Sequence, residues 1–184
     1  MKEWKGKKGR VVRIVSEEKS DPVPQAYDLT ELQRDANIAH GFSAKETLDI
    51  LQRLYEAHKI VTYPRTDSRY ITPDIVPTLP ERIAALSGTI FSRVSDEYLS
   101  NGFVKDNPRF VDETKVSDHH AIIPTEEKVR VEKLSEEERK LWILIALRFL
   151  ETIGEDYVYK TTTAEIEVDG YIFKTRLTLP LKKG

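Results

Sequence analysis

The hydrophobic period changes twice along this chain, and that change limits the folds open to it. Residues 158–168, "VYKTTTAEIEV", alternate with period two and put Thr162, Ala164, Ile166 and Val168 on one face. Asp169–Gly170 is a two-residue hairpin signal, and "YIFKTRLTL" alternates again through Phe173, Thr175, Leu177 and Leu179. Near the other end, "GRVVRIVS" is short, β-branched and opened by a glycine, the pattern of a further strand. "SEEKSDPVPQ" after it reads as a polar, proline-containing connector.

Between these ends the period is helical. "DLTE" at 28–31 has the capping-box spacing, with Asp28 in place of Ser or Thr, and Leu29, Leu32, Ala36 and Ala39 follow before Gly41 stops the helix. "SAKE" at 43–46 is a second capping box, followed by a stripe of Leu48, Leu51, Leu54 and Tyr55. A third helix is expected from Thr72, with Pro73 at its first position, and loops with short helices from Ser87 to Pro124. Ser135 and Glu138 cap a strong helix striped by Leu141, Trp142, Ile145 and Phe149 and ended by Gly154. The predicted class is α+β: a mainly helical domain inserted into a β-domain whose strands come from both chain ends. Domain termini often lie close together, which makes such an insertion possible. The expected segments are a strand and linker over 1–27, the helical domain over 28–130, and a helix and β-hairpin over 131–184 returning to the β-domain.

Composition excludes several classes. With no cysteine there is neither a disulfide framework nor a thiolate metal site. The four histidines do not suggest zinc, because His40 and His58 lie far in sequence from His119 and His120. No apolar run is long enough to span a membrane, and no signal region follows the basic start, so a cytoplasmic protein without membrane partners is expected. The net charge of −2 carries no nucleic-acid signal. The first ten residues, however, hold Lys2, Lys5, Lys7, Lys8 and Arg10 against Glu3, either a phosphate-binding arm or a solvated terminus.

The stretch "VTYPRTDSRYIT" (61–72) carries the densest chemistry. Pro64 biases Tyr63 towards extended backbone and has its own φ fixed, so Tyr63 and Arg65 are expected to project to one side. A phenol beside a guanidinium suits phosphoryl chemistry. The phenolate can form a covalent phosphotyrosine, and the guanidinium can hold phosphate oxygens and stabilise transition-state charge. Asp67, on the same side, could orient Arg65, and Thr66 and Ser68 could donate to neighbouring phosphates. A Tyr-Pro-Arg triplet alone is as readily a packing feature. On the residues alone, a non-catalytic single-stranded DNA-binding module and an interaction domain with a phosphorylatable tyrosine remain open.

The longer string resembles the active-site signature of the type IA DNA topoisomerases. "LYEAHKIVTYPRTDS" looks like the helix leading into that signature, and "AYDLTELQRDAN" resembles the helix entry before it. "SDHHAIIPT" at 117–125 looks like the second motif of the family. The match covers most of residues 26–125 in the family's order. The proline after the tyrosine and "HHAIIPT" look most like the topoisomerase III branch.

The resemblance implies ATP-independent cutting of one DNA strand through a 5′-phosphotyrosine link, passage of another strand, and religation. By position it makes Tyr63 the nucleophile, Arg65 the phosphate-stabilising arginine and His119 the motif histidine. Gln33, Arg34 and Arg69 become supporting DNA contacts, and His120 falls where the family varies. It further implies that this chain is a fragment, inactive alone. The partners expected are single-stranded DNA and the Toprim and gate domains of the same polypeptide. The expected cofactor is Mg²⁺, held by Toprim ligands outside these residues and by none within them.

Overall fold

Asp169 and Gly170 both take positive φ, 50° and 80°. That geometry belongs to the tight turn whose twist matches a β-hairpin, and glycine adopts it without penalty. The computed structural model describes residues 6–182. The turn joins β2 (Tyr157–Val168) to β3 (Tyr171–Lys182), and β1 (Arg10–Asp21) pairs with β2 from the other side. The result is a three-stranded antiparallel sheet in the order β1-β2-β3.

The expected connector is corrected here: Ser16–Asp21 continues β1, because each of those residues finds a rung opposite Thr162–Tyr157. Polar residues are no obstacle on a strand whose faces are open to solvent. A register shift between Val11 and Arg13 marks a bulge. Beyond it, the pairing puts Ile14, Ala164, Ile166, Phe173 and Leu177 on one face. The opposite face carries Arg13, Glu165, Lys174 and Arg176, with Lys174 Nζ 2.9 Å from Glu165. Of the basic arm, Lys2 and Lys5 lie outside the described residues. Lys7 pairs with Asp169, and Arg10 with Glu167 at 2.8 Å, so these two cations are engaged by the hairpin.

Pro24–Gly154 forms one compact unit, and the two chain ends, Met1–Val23 and Glu155–Gly184, form the other. In the helical unit, α1 (Leu29–His40) is capped by Asp28, which accepts from Glu31 N at 2.7 Å. It ends at Gly41, whose φ of 73° lets its N–H reach Asn37 O. The next helix, α2 (Ala44–Glu56), has the full capping box of Ser43 and Glu46 and buries Thr47, Ile50, Leu51 and Leu54. That i, i+3, i+4, i+7 face turns Tyr55, expected in the stripe, out of the core at 36% exposure. Ala39, placed in the stripe of α1, is likewise exposed.

Pro73 does open a helix, but a 3₁₀ one (Pro73–Thr78), followed by the short α3 (Leu79–Ala84) and then α4 (Ser92–Asn101). The last helix, α5 (Glu136–Thr152), carries the Ser135–Glu138 capping box and buries Leu141, Trp142, Ile145 and Phe149. It packs on α1 and α2, so a boundary at residue 130 falls inside the helical unit. No helix among the described residues is long and apolar enough to cross a membrane.

Two extended segments run antiparallel through this core. Val61 bridges Pro124, Thr62 N donates to Ile123 O at 3.0 Å, and Thr125 N donates to Ile60 O at 3.2 Å. Thr62, 8% exposed, donates its hydroxyl to Ala121 O (2.8 Å) and accepts from Ile123 N (3.0 Å). Thr66 donates to His119 O at 2.9 Å. Elsewhere along the 119–125 segment Tyr27 bridges Ile122, and Ala121 N donates to Tyr70 O.

Replacing Thr62 by Val keeps the shape but leaves a buried N–H and a buried carbonyl short of a partner. The expected loss is about 1–3 kcal/mol, read as a lowered denaturant midpoint at unchanged slope. Ser135→Ala, by comparison, removes one cap of α5 and is expected to cost ~1 kcal/mol in the same measurement. Glu138 gives a pH signature. Burial pushes its carboxyl up, but Ser135 N–H, Arg53 (2.9 Å) and His58 (3.2 Å) outweigh it and hold it below the usual carboxylate range. A depressed carboxyl adds stability above its unfolded pKa and loses it as pH falls through the folded value. The stability gap between wild type and Glu138→Gln should therefore narrow as pH drops below ~4, in urea melts at a series of pH values.

Candidate active site

Exposure alternates along the tyrosine segment. Thr62, Pro64, Thr66 and Ser68 are buried, whereas Tyr63 and Arg69 are half-buried and Arg65 and Asp67 exposed. Period-two alternation is what extended backbone produces, and Pro64 favours that geometry for Tyr63. The inward set consists of three hydroxyl residues and a proline, which can enter a core because their polar atoms are satisfied at once by the neighbouring segment.

The ladder brings the two sequence motifs together. His119 is exposed, and its ring lies over Tyr63 with centroids 4.0 Å apart and planes tilted by 32°. Tyr55, at the end of α2, meets Tyr63 edge-on at 5.6 Å and 90°. The phenol is thus held between an imidazole face and a second aromatic ring, with its backbone fixed by the rungs on either side. Such packing restricts the ring while leaving it accessible.

The neighbours divide into open and committed groups. Arg65 and Asp67 form no ion pair with each other or with any other described residue, so the expected orientation of Arg65 by Asp67 is absent. Arg69 is committed: its Nε lies 2.7 Å from Asp28 and its Nη2 3.2 Å from Glu31, tying this segment to the N-terminus of α1. These carboxylates stabilise its charged form, with the Asp28 hydrogen bond the largest influence. Thr66 and Ser68, expected as phosphate donors, are corrected by burial. Thr66 gives its proton to His119 O, and Ser68 gives its proton to Lys115 O at 2.9 Å. Both also accept from nearby backbone N–H groups, Ser68 N and Tyr70 N.

Gln33 and Arg34 sit on α1 and form no hydrogen bond or ion pair with Tyr63 or His119. Gln33 donates to Ala44 O at 2.9 Å, bracing the α1–α2 turn, and Arg34 pairs with Glu31 and Asp35. His120 is half-buried and its Nδ1 faces Ala121 O at 3.3 Å. Burial pushes this imidazole down, the Ala121 carbonyl opposes the shift, and the Arg82 charge adds to it. Arg82 is itself buried, donating to Pro124 O (2.8 Å) and pairing with Glu126 (2.7 Å), and so clamps the far end of the 119–125 segment.

Three contributors escape a sequence reading. Thr62 was legible in principle, since the alternation Thr62, Pro64, Thr66, Ser68 marks an inward face. Tyr55 is the last member of the expected apolar stripe, and nothing local distinguishes it from a core residue. Arg82 has one local partner, the Thr78 hydroxyl at 2.8 Å, but the two that fix its role, Pro124 O and Glu126, lie more than forty residues away in sequence.

Known proteins resemble this chain over nearly all of its length. The sequence profile of a family described as DNA topoisomerase matches residues 1–184. The chain is 49% identical over 171 residues to DNA topoisomerase 3 of Bacillus licheniformis, covering 93% of this chain and 23% of that protein. It is 46% identical over 176 residues to DNA topoisomerase 3 of Bacillus subtilis, covering 96% and 24%. The chain therefore spans about a quarter of the length of these relatives. Its fold is similar to that of full-length topoisomerase I from Thermotoga maritima, with a TM-score of 0.65 and 22% identity, over 96% of this chain and 29% of that one. With a profile match along its whole length and close relatives of one name, the chain belongs to the DNA topoisomerase family.

Proposed function

We propose that these residues are the tyrosine-bearing part of a type IA DNA topoisomerase of the topoisomerase III kind, which cuts one DNA strand, passes another and religates without ATP. The observation that carries this reading is the stacking of His119 on Tyr63, at 4.0 Å, on a ladder that joins the two motifs. In the cut, the Tyr63 phenolic oxygen attacks a phosphodiester phosphorus. An O–P bond forms to the 5′ side, the bond from phosphorus to the 3′-oxygen breaks, and the electron pair leaves with that oxygen. The phenolic proton departs and a proton reaches the 3′-oxygen from an acid outside these residues. Religation is the reverse attack, so the phosphotyrosine stores the bond energy and no nucleotide is needed.

Arg65, exposed and unpaired among the described residues, is placed two residues from the nucleophile to receive phosphate oxygens. Its planar fork suits that task better than an ammonium. His119 orients the phenol by stacking and offers its ring nitrogens to the same phosphate. Asp67 and Arg69 border the site, with Arg69 bracing it through α1. Among the described residues there is no cluster of three or more His, Asp or Glu set to hold a metal ion. This reading assigns the ligands of a catalytic Mg²⁺ to parts of the polypeptide outside these residues. The sheet built from both chain ends would belong to the β-domain that acts as the family's hinge, with the helical unit Pro24–Gly154 as the catalytic-tyrosine insertion. Single-stranded DNA and the remaining domains of the same polypeptide are the partners of this reading, and the bacterial cytoplasm is its compartment.

The test uses a longer protein containing these residues, a labelled single-stranded oligonucleotide and Mg²⁺, denatured and examined for a covalent adduct. Wild type is expected to form one and Tyr63→Phe none, with DNA binding retained. An adduct that survives Tyr63→Phe overturns the assignment, and binding without any adduct favours a non-catalytic module. Arg65→Ala is expected to slow adduct formation by about 10²-fold, the usual effect of removing one transition-state donor. Residues 1–184 alone are expected to give no adduct, since general acid help alone is worth ~10²–10⁴ in rate.

A further inference from the structure

The ladder that carries Tyr63 has a second end. There, Thr125 N donates to Ile60 O (3.2 Å) and the Thr125 hydroxyl donates to Lys59 O (2.6 Å). Beside this end, the exit of α2 and residues 127–134 enclose a cleft of about 330 Å³, lined by His58, Ile60, Glu127, Lys128, Arg130 and Lys133 among others. Lys128, Arg130 and Lys133 are exposed, and among the described residues none of them makes an ion pair. Cations on neighbouring elements are matched, Arg82 by Glu126 and Lys115 by Asp112. The carboxylate lining the cleft is Glu127, while His58 is turned to Glu138, 3.2 Å away. Three uncompensated cations against one carboxylate make a concave positive site.

Position supplies the occupant. Ile60, in the cleft wall, is three residues from Tyr63, and a chain spans at most ~3.6 Å per residue, so their Cα atoms lie within about 11 Å. At that separation the next phosphates of a strand held at Tyr63 can reach this cleft. We infer that Lys128, Arg130 and Lys133 hold backbone phosphates next to the one that Tyr63 attacks, on the same DNA strand. The inference rests on the reading of Tyr63 given above. It adds a binding element that acts on strand placement and takes no part in bond cleavage.

The test is the salt dependence of binding of a labelled single-stranded oligonucleotide to the 184-residue chain, by fluorescence anisotropy. A triple variant, Lys128→Ala with Arg130→Ala and Lys133→Ala, is compared with a control, Lys45→Ala with Arg93→Ala and Lys105→Ala. The control removes the same charge from other exposed positions. Each phosphate contact on a single strand contributes ~0.7 to the slope of log K against log salt. The cleft variant should lose about 2 from that slope and bind at least tenfold more weakly at low salt, and the control should keep the wild-type slope. A glutamine triple at the same three positions, closer to the native side-chain length, should reproduce the cleft result and guards against misfolding. An unchanged slope in the cleft variants, an equal loss in the control, or no salt-dependent binding by wild type overturns the inference. Repeating the series in Tyr63→Phe separates the two readings. A cleft effect that persists there, with the adduct of the longer protein lost, supports both. The same effect with the adduct retained overturns the nucleophile and, with it, the proposed neighbour of the cleft. A normal Tyr63 dependence without a cleft effect overturns the cleft alone.

Discussion

One threonine side chain holds the centre of this structure. Thr62 sends its proton to Ala121 O and takes one from Ile123 N, so a single hydroxyl closes two backbone groups of a segment that belongs to no regular sheet. An extended segment buried in a helical core has no ladder of its own, and each unpaired polar group there costs as much as a lost hydrogen bond. Hydroxyl residues at alternate positions solve this for two chains at once. The same alternation leaves Tyr63, Arg65 and Asp67 outward. Anchoring and exposure of the tyrosine segment are therefore one property seen from two sides.

The distribution of charge follows a similar division of labour. Arg69, Arg82 and Arg148 are spent on the frame: Arg69 on the N-terminus of α1, Arg82 on Pro124 and Glu126, Arg148 on Asp35 and the Tyr27 ring. Arginine suits such posts because its fork can satisfy several acceptors at fixed angles. Arg65 is left without a carboxylate among the described residues, and an anion meeting it displaces only water.

Much of this was legible in the residues. The capping boxes at Ser43 and Ser135, the Asp169–Gly170 turn and the apolar stripe of α5 are local signals, each written within a few positions, and each stands in the structure. The α+β class follows from the same signals. What could not be read was set by distant partners. Ser16–Asp21 is a strand only because β2 lies beside it. Tyr55 leaves the core because Thr47 and Ile50 take its place. The committed state of Thr66, Ser68 and Gln33 depends on backbone acceptors that no local pattern names, whereas Arg34 pairs locally with Glu31 and Asp35. The resemblance names Tyr63 and His119 as residues of two family motifs, and the hydroxyl ladder that brings them together has no counterpart in that reading.

The ladder also has a kinetic side. Its side-chain rungs join residues 53 to 61 positions apart, with α3 and α4 strung between them. Closing so long a loop is entropically costly, and contacts of this separation are repaid only after the intervening chain has collapsed. Helices α1, α2 and α5 can begin from local caps, but the stacked tyrosine and histidine cannot precede the burial of what lies between them. A nascent or partly unfolded chain thus has a tyrosine but no assembled pair. Assembly of the stacked pair becomes one of the last things the fold acquires.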